Sequence, residues 1–176
     1  RYITKNTKGI ILNYPSNPVG SVYTLETLNR IGRLAVENNF YIISDEIYEK
    51  LVYDGYRHTS IASLDPSFKE RTIIAHGVSK TYSMTGWRIG FTAGPKAIIS
   101  AMSNIQSQST SNPTSIAQRA AVAALKGPQD CIGMMVSEFQ KRRDYLVTEL
   151  RAIPGVTCHK PRGAFYVFPN FNAVLG

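Results

Sequence analysis

The stretch GVSKTYSMTGWRIG, residues 77–90, follows an apolar run that is typical of a buried strand. In it, Lys80 directly follows Ser79, and Arg88 lies eight residues further on. A lysine amine can form an imine with an aldehyde, while a serine hydroxyl and an arginine guanidinium can hold a phosphate group. The stretch therefore predicts a ligand that carries an aldehyde at one end and a phosphate at the other.

Pyridoxal phosphate (PLP) carries both groups and is the cofactor that this stretch predicts. Gly86 and Gly90 flank the arginine and allow the backbone to come close to a ligand. Each side chain taken alone has another interpretation. Lys80 would be an exposed surface lysine, because lysine is mostly exposed, and Arg88 would form a surface salt bridge. Their occurrence together in one stretch favours the cofactor site.

Two further blocks of sequence place polar residues directly after apolar runs. Residues 13–20 have the sequence NYPSNPVG, and residues 44–48 have the sequence SDEIY. A carboxylate at the end of a buried strand, as at Asp45, can pair with the pyridine nitrogen of PLP and keep it protonated. The alternatives are a helix N-cap or turn aspartate for Asp45, a half-buried core tyrosine for Tyr48 and a plain turn asparagine for Asn17.

The three blocks resemble the class I and II aminotransferases, which have the type I PLP fold. Residues 77–90 are similar to the lysine signature of that family, residues 13–20 to its asparagine-proline loop and residues 44–48 to its aspartate-tyrosine block. The blocks stand in the family's order, and the resemblance covers nearly the whole chain. It implies an α/β fold, with a three-layer α/β/α large domain around a mostly parallel sheet, followed by the start of a small α+β domain.

The resemblance also assigns roles to the side chains of the predicted site. It implies that Lys80 forms the imine with PLP and then moves the substrate proton between Cα and C4′ as general base and acid. Asp45 would pair with the pyridine nitrogen, and Tyr48 would donate a hydrogen bond to the ring oxygen O3′. Ser79 and Arg88 would bind the cofactor phosphate, the arginine through two parallel charge-assisted hydrogen bonds.

Asn17 is the remaining candidate residue, and by resemblance its amide contacts both O3′ of PLP and the carboxylate of the substrate. The resemblance also predicts a cis peptide bond between Asn17 and Pro18, a specific expectation because only about 5% of X-Pro bonds are cis. It places several family parts outside the chain: the loop that completes the phosphate site, the aromatic residue that stacks on the cofactor ring, the tyrosine lent by the partner subunit and the arginine that binds the substrate α-carboxylate. We therefore expect this chain to belong to a longer protein and to be inactive by itself.

The resemblance implies an aminotransferase that moves an amino group between an amino acid and a 2-oxo acid, with aspartate and 2-oxoglutarate as the preferred pair. Another type I PLP enzyme, such as a carbon–sulfur lyase, would share Lys80, Asp45 and Arg88. A non-catalytic PLP-binding domain of a transcription regulator is a third candidate, and it would need a helix-turn-helix segment that this sequence does not show. Because the family builds each site from two chains, the resemblance implies a homodimer.

The composition, 43% hydrophobic and 18% charged, is typical of a soluble globular protein, and 176 residues can bury a sizeable core. No apolar run approaches the roughly 20 residues of a membrane span, and no signal-peptide pattern opens the sequence. The two cysteines, Cys131 and Cys158, lack the spacing of metal ligands. We therefore expect a reduced, cytoplasmic protein with no metal site and no membrane partner.

The net charge of +8 and the pI of about 9.6 raise the question of nucleic-acid binding. The basic residues do not cluster, however. The densest group, KRR at residues 141–143, falls in a helical pattern, where a solvated face is expected. A basic site would also suit an anionic cofactor and anionic substrates. The sequence therefore predicts no nucleic-acid partner.

Apolar periodicity predicts alternating strands and helices, and the order strand, helix, strand favours a mostly parallel sheet. By resemblance, residues 1–128 form part of the PLP-binding large domain, and residues 129–176 form the interdomain long helix and the start of the small domain. The predicted strands are 9–13, 40–44, 71–76, 88–93, 156–158 and 164–168, and the predicted helices are 25–38, 95–107, a second one ending at 125, and 129–151.

Overall fold

The structure is a computed structural model that describes residues 2–175, and it divides into two compact units. The domain boundary predicted between residues 128 and 129 stays a prediction. The first unit comprises 2–13, Tyr23–Ile47 and Thr59–Gly127, and the second comprises Tyr14–Val22, Tyr48–His58 and 128–175.

A four-stranded sheet forms the centre of the first unit. Its strands are β1 (Gly9–Asn13), β2 (Tyr41–Asp45), β3 (Thr72–Gly77) and β4 (Gly90–Ala93), and they lie in that order across the sheet. The pairs β1–β2 and β2–β3 are parallel, whereas β3–β4 is antiparallel. The predicted α/β class with a mostly parallel sheet is therefore confirmed. The strand predicted at 9–13 has the predicted bounds, and the other three predicted strands are present with shifted bounds.

Helix α1 (Leu25–Glu37) makes the crossover between β1 and β2, as the apolar spacing predicts. Thr24 caps its first turn, because the threonine hydroxyl accepts a hydrogen bond from the backbone N–H of Thr27 at 3.2 Å. The buried face of the helix includes Gly32, where a Cβ would lie 2.5 Å from the ring of Phe68. A glycine at this position therefore lets the short helix α2 (Pro66–Lys69) pack closely on α1.

Two more helices, α3 (Lys96–Ser109) and α4 (Ser115–Lys126), complete the first unit. Helix α4 buries Ala117 and Ala121. In contrast, every residue from 101 to 110 is exposed, and Ile105 is 71% exposed. Within residues 2–175, Ile98 and Ile99 of α3 are therefore half-buried, whereas Met102 and Ile105 remain exposed.

The second unit contains the longest helix, α5 (Asp130–Ala152), which matches the predicted helix at 129–151. A two-stranded antiparallel sheet follows, in which β5 (Thr157–Cys158) pairs with β6 (Pro169–Asn170). Within residues 2–175, no helix combines the length and the apolar character that a membrane crossing requires.

The predicted strand at 164–168 is wrong. Ala164 has a φ of 55°, in the left-handed region, which interrupts an extended conformation. Its backbone N–H donates to the carbonyl of Leu51 at 2.9 Å, and the neighbouring Gly163 forms a β-bridge with Val52. The apolar residues of this segment therefore pack as a loop, and the strand that pairs with β5 begins only at Pro169.

The expectation of a solvated face at residues 141–143 is wrong for Arg143, whose side chain is only 3% exposed. Its guanidinium donates to both carboxylate oxygens of Asp54 at 2.8 and 3.0 Å and to the carbonyl of Pro161 at 2.8 Å. It also lies 4.7 Å from the ring centroid of Tyr53. Arg143 thus connects α5 with the segment around Asp54 and with the segment around Pro161.

Replacing Arg143 with lysine is expected to destabilise the full-length protein by about 1–3 kcal/mol, because an ammonium cannot make the paired hydrogen bonds of a planar guanidinium. The measurement is the midpoint of urea unfolding near neutral pH. Arg142→Lys is the matched control, since Arg142 is exposed and forms an i,i+4 pair with Glu138. An equal shift of the midpoint in both variants would contradict a special role for Arg143.

The loss of folding stability caused by Arg143→Lys should be smaller at acidic pH. The hydrogen bond from Arg143 holds the pKa of the Asp54 carboxyl below its ordinary value of 3.8. A carboxyl whose pKa is lower in the folded state stabilises the fold fully above its unfolded pKa and loses that contribution as the pH falls through its folded pKa. The difference between the urea midpoints of the variant and the wild type should therefore stay constant from neutral pH down to about pH 4 and become smaller below it.

Candidate active site

The carboxyl ends of the parallel strands β1 and β2 bring Asn13 and Asp45 side by side. Asp45 is half-buried, and one of its carboxylate oxygens accepts a hydrogen bond from Asn13 Nδ2 at 3.1 Å. The other oxygen accepts from the backbone N–H of Ile47 at 3.2 Å. These two donors fix the orientation of the carboxylate at the sheet edge. The sequence predicted the position of Asp45 after a strand but gave no role to Asn13.

The loop between β3 and β4 carries three of the predicted site residues. Gly77 pairs with Gly90 in the antiparallel ladder, so the loop is closed at its base. Ser79 and Lys80, both half-buried, follow β3, and Arg88 precedes β4. The structure therefore brings the two ends of the 77–90 stretch together, as a single binding loop requires.

A close approach at the base of this loop favours glycine. A Cβ at Gly77 would lie 3.0 Å from the carbonyl oxygen of Ile89 and 3.1 Å from Cα of Gly90, tighter than ordinary van der Waals contact. A Cβ at Gly90 would in turn lie 3.0 Å from the carbonyl oxygen of His76. Gly90, which the sequence associated with a ligand, thus serves the pairing of β3 with β4, whereas a Cβ at Gly86 would meet nothing within 4 Å.

Arg88 has a backbone conformation that the sequence does not reveal. Its φ of 50° and ψ of 48° are left-handed, which costs a residue with a Cβ about 1–2 kcal/mol. One guanidinium nitrogen donates to the carbonyl of Thr85 at 2.8 Å, and this bond uses one of the five N–H donors of the side chain. Such conformations are concentrated at ligand sites, where the surrounding structure maintains them.

Glu46 is fully buried in the first unit, although the sequence assigned it no role. Its carboxylate accepts hydrogen bonds from the hydroxyls of Ser44 at 2.9 Å and Ser60 at 2.7 Å. These bonds join the end of β2 to the segment that begins at residue 59. Glu46 thereby stabilises the backbone on the C-terminal side of Asp45.

The second unit holds the other two predicted site residues. The Asn17–Pro18 peptide bond is cis, as predicted, and so is the bond between Tyr14 and Pro15. Asn17 is exposed, whereas Tyr48 is buried. Both contact the hydroxyl of Tyr166, which lies 2.8 Å from Tyr48 Oη and accepts from Asn17 Nδ2 at 3.4 Å.

Tyr166 is the residue of this cluster that the sequence missed. It stands 118 residues after Tyr48, so no local spacing links the two phenols. The sequence pattern predicted only that Tyr166 belongs to a strand, and that strand is not formed. One signal was present in the sequence: Tyr166 carries a hydroxyl within an otherwise apolar segment. A buried tyrosine hydroxyl usually forms a hydrogen bond, so a partner could have been expected.

Comparison with known sequences shows what this chain is similar to. The sequence profile of the family "Aminotransferase class I and II" matches residues 1–175. An aspartate aminotransferase of Geobacillus stearothermophilus is 55% identical over 168 residues, which are 96% of this chain and 43% of that protein. An aspartate/prephenate aminotransferase of Cereibacter sphaeroides is 48% identical over 175 residues, 99% of this chain and 44% of that protein. The chain thus spans less than half the length of these relatives.

Solved structures give the same result. The crystal structure of the aspartate aminotransferase of Rhizobium meliloti superposes with a TM-score of 0.95 at 45% identity, covering 99% of this chain and 44% of that one. An aromatic aminotransferase of Pyrococcus horikoshii superposes with a TM-score of 0.91 at 43% identity, covering 96% of this chain and 45% of that one. The likeness therefore extends over both units and includes sequence as well as fold.

Proposed function

The chain belongs to the class I and II aminotransferases, and we propose that it is the part of a PLP-dependent aminotransferase that contains the lysine to which the cofactor binds. The full-length enzyme moves an amino group from an amino acid to a 2-oxo acid. L-Aspartate and 2-oxoglutarate are the proposed pair, supported by relatives named as aspartate aminotransferases. The observation that carries the proposal is the loop between β3 and β4, which is closed at its base by the Gly77–Gly90 pair and whose sequence contains Ser79, Lys80 and Arg88.

The chemistry of these side chains fits PLP. The first unit offers an amine for the aldehyde, a hydroxyl and a guanidinium for the phosphate, and an oriented carboxylate for the pyridine nitrogen. We assign these roles to Lys80, Ser79 with Arg88, and Asp45. The left-handed backbone of Arg88 supports its assignment to the phosphate, because unfavourable backbone conformations are concentrated at ligand sites.

When bound, PLP supplies an aldehyde that condenses with amines and a protonated ring that accepts electrons from the reacting carbon. Lys80 first holds the cofactor and then acts at the substrate. Its amine takes the proton from the substrate Cα as general base and returns a proton as general acid. Asp45 keeps the proton on the pyridine nitrogen, and the donors Asn13 and Ile47 hold its carboxylate in place for that purpose.

From the second unit, we assign Tyr48 and Asn17 to the cofactor oxygen O3′, and Asn17 also to the carboxylate of the substrate. A phenol and an amide can both donate hydrogen bonds to oxygen atoms that carry negative charge. We further propose that the full-length protein is a cytoplasmic homodimer that binds neither nucleic acid nor membrane. In this proposal, residues 1–128 belong to its large domain, and residues 129–176 begin its small one.

The test of the proposed function is a donor screen with the full-length protein and added PLP. With L-aspartate and 2-oxoglutarate, we expect glutamate and oxaloacetate to form in equal amounts. Turnover of other amino donors without any turnover of aspartate would refute the proposed substrate pair. Release of pyruvate and ammonia from a cysteine conjugate, without transamination, would identify a carbon–sulfur lyase instead.

Replacing Arg88 with lysine is expected to weaken PLP binding by about 10- to 100-fold, because a point charge replaces a fork that makes two parallel bonds to phosphate. The dissociation constant can be measured by equilibrium dialysis, with inorganic phosphate as a competitor. Arg119→Lys is a matched control in an exposed position of α4. Unchanged PLP affinity in the Arg88 variant would remove Arg88 from the phosphate site.

A further inference from the structure

Two polar groups of the second unit, from Tyr48 and Asn17, contact the hydroxyl of Tyr166. Its oxygen lies 2.8 Å from the hydroxyl oxygen of Tyr48 and accepts a hydrogen bond from Asn17 Nδ2 at 3.4 Å. Tyr48 is only 3% exposed, whereas Tyr166 is half-buried. The Tyr48 phenol therefore has a defined protein partner that is itself a hydrogen-bond donor.

Aromatic packing fixes the ring of Tyr166 relative to Tyr48. The two rings meet edge to face, with centroids 5.9 Å apart and planes at 81°. Phe165 packs on both, at 4.9 Å from Tyr166 and 5.4 Å from Tyr48, and Phe139 of α5 lies 5.2 Å from Phe165. Removing only the hydroxyl of Tyr166 should leave this aromatic cluster in place.

Backbone hydrogen bonds hold the segment that contains Tyr48 beside the segment that contains Tyr166. The N–H of Tyr53 donates to the carbonyl of Arg162 at 3.0 Å, and the N–H of Ala164 donates to the carbonyl of Leu51 at 2.9 Å. The Tyr53 hydroxyl also donates to the carbonyl of Ala164. Burial raises the pKa of Tyr53 to about 12, so this donor keeps its proton throughout the physiological pH range.

Counting protons gives the direction of the bond between the two phenols. A phenol has one proton, so a Tyr48 that donates to a ligand can only accept from Tyr166. We infer that Tyr166 is a positioning residue, which donates to Tyr48 Oη and so directs the Tyr48 proton at the cofactor oxygen O3′. The inference rests on the proposed function, in which Tyr48 binds O3′.

The chain of donors has a consequence for the cofactor. In the order Asn17, Tyr166, Tyr48, each group donates to the next, and hydrogen bonds in such a chain strengthen one another. A stronger bond from Tyr48 favours the negatively charged form of O3′ over the protonated form. Without the Tyr166 hydroxyl, the pH midpoint of the absorbance change of bound PLP should rise by roughly half a pH unit.

The experiment is a spectrophotometric pH titration of PLP bound to the full-length protein, without substrate, for the wild type and Tyr166→Phe. The pH midpoint of the absorbance change should be roughly half a pH unit higher in Tyr166→Phe than in the wild type. Tyr145→Phe is the matched control, because Tyr145 is an exposed tyrosine of α5, and its midpoint should not change. An unchanged midpoint in Tyr166→Phe would overturn the inference.

A double-variant comparison separates action through Tyr48 from direct contact with PLP. Tyr48→Phe should raise the midpoint by about one to two pH units, and adding Tyr166→Phe should then have no further effect. A further rise in the double variant would overturn the positioning role. A wild type with no PLP absorbance would instead refute the proposed function, and the inference with it.

A second substitution keeps the test valid if Tyr166→Phe does not fold. Incorporation of 3-fluorotyrosine at position 166 preserves the ring and gives a more acidic, stronger donor. The midpoint should then move down, opposite to the change in Tyr166→Phe. An upward or absent change with this substitution would contradict donation from Tyr166 to Tyr48.

Discussion

Lys80→Ala is expected to lower the transamination rate of the full-length protein by about 10⁴-fold or more. General acid–base catalysis alone contributes about 10²–10⁴-fold, and the variant also loses the amine that holds the cofactor. Lys80 stands next to Ser79 at the start of the closed loop between β3 and β4, where no other lysine lies within the 77–90 stretch. The measurement is kcat with L-aspartate and 2-oxoglutarate at saturating PLP.

The control for this prediction is Lys141→Ala, which removes an exposed lysine from α5 and should leave kcat unchanged. Adding a small primary amine to Lys80→Ala should restore part of the rate, because the missing proton transfer can come from solution. A rate in Lys80→Ala within tenfold of the wild type would contradict the assignment of Lys80 as base.

Asp45→Asn is expected to lower kcat by about 10²–10³-fold, the usual effect of removing one preorganised electrostatic partner. The amide keeps the shape of the carboxylate but has no charge to hold a proton on the pyridine nitrogen. PLP should remain bound, since the phosphate ligands proposed for the loop are intact. The measurements are kcat and the PLP content of the purified variant.

Asp130→Asn is the matched control for Asp45→Asn, because Asp130 is exposed in the first turn of α5. We also expect Asn13→Ala to lower kcat less than Asp45→Asn does, since Asn13 only orients the carboxylate at 3.1 Å. Full activity in Asp45→Asn would show that the pyridine nitrogen is not protonated by this residue.

The arrangement of the first unit could be predicted because its signals are local. The apolar runs before Asn13, Asp45 and Gly77 each end a strand, and one helix with a threonine cap joins the first two. Parallel strands connected in this way place their carboxyl ends at one edge, so the position of Asp45 followed from the sequence. The periodic spacing of apolar residues and the turn residues were sufficient to predict that part of the fold.

The strand predicted at 164–168 failed because its outcome depends on distant partners. The segment has the apolar composition of a strand, but Ala164 is left-handed and bonds to Leu51, more than a hundred residues earlier. Tyr166 escaped prediction for the same reason, since its partner Tyr48 is far away in sequence. Long-range pairing of this kind leaves no periodic signal in a single sequence.

The sequence also did not predict which charged side chain is buried. Arg142 and Arg143 are neighbours in one basic run, yet the first is exposed and the second is enclosed by Asp54, Pro161 and Tyr53. The face of a helix that meets a loop from elsewhere in the chain decides which arginine is buried. Helical periodicity alone treated Arg143 as part of a solvated face.

The most direct test of the account is to reduce the PLP-loaded full-length protein with borohydride, digest it and locate the modified peptide by mass spectrometry. We expect one PLP group, joined covalently to Lys80, and no such group in Lys80→Ala. Attachment to a different lysine in the wild type, or retained specific attachment in Lys80→Ala, would contradict the account.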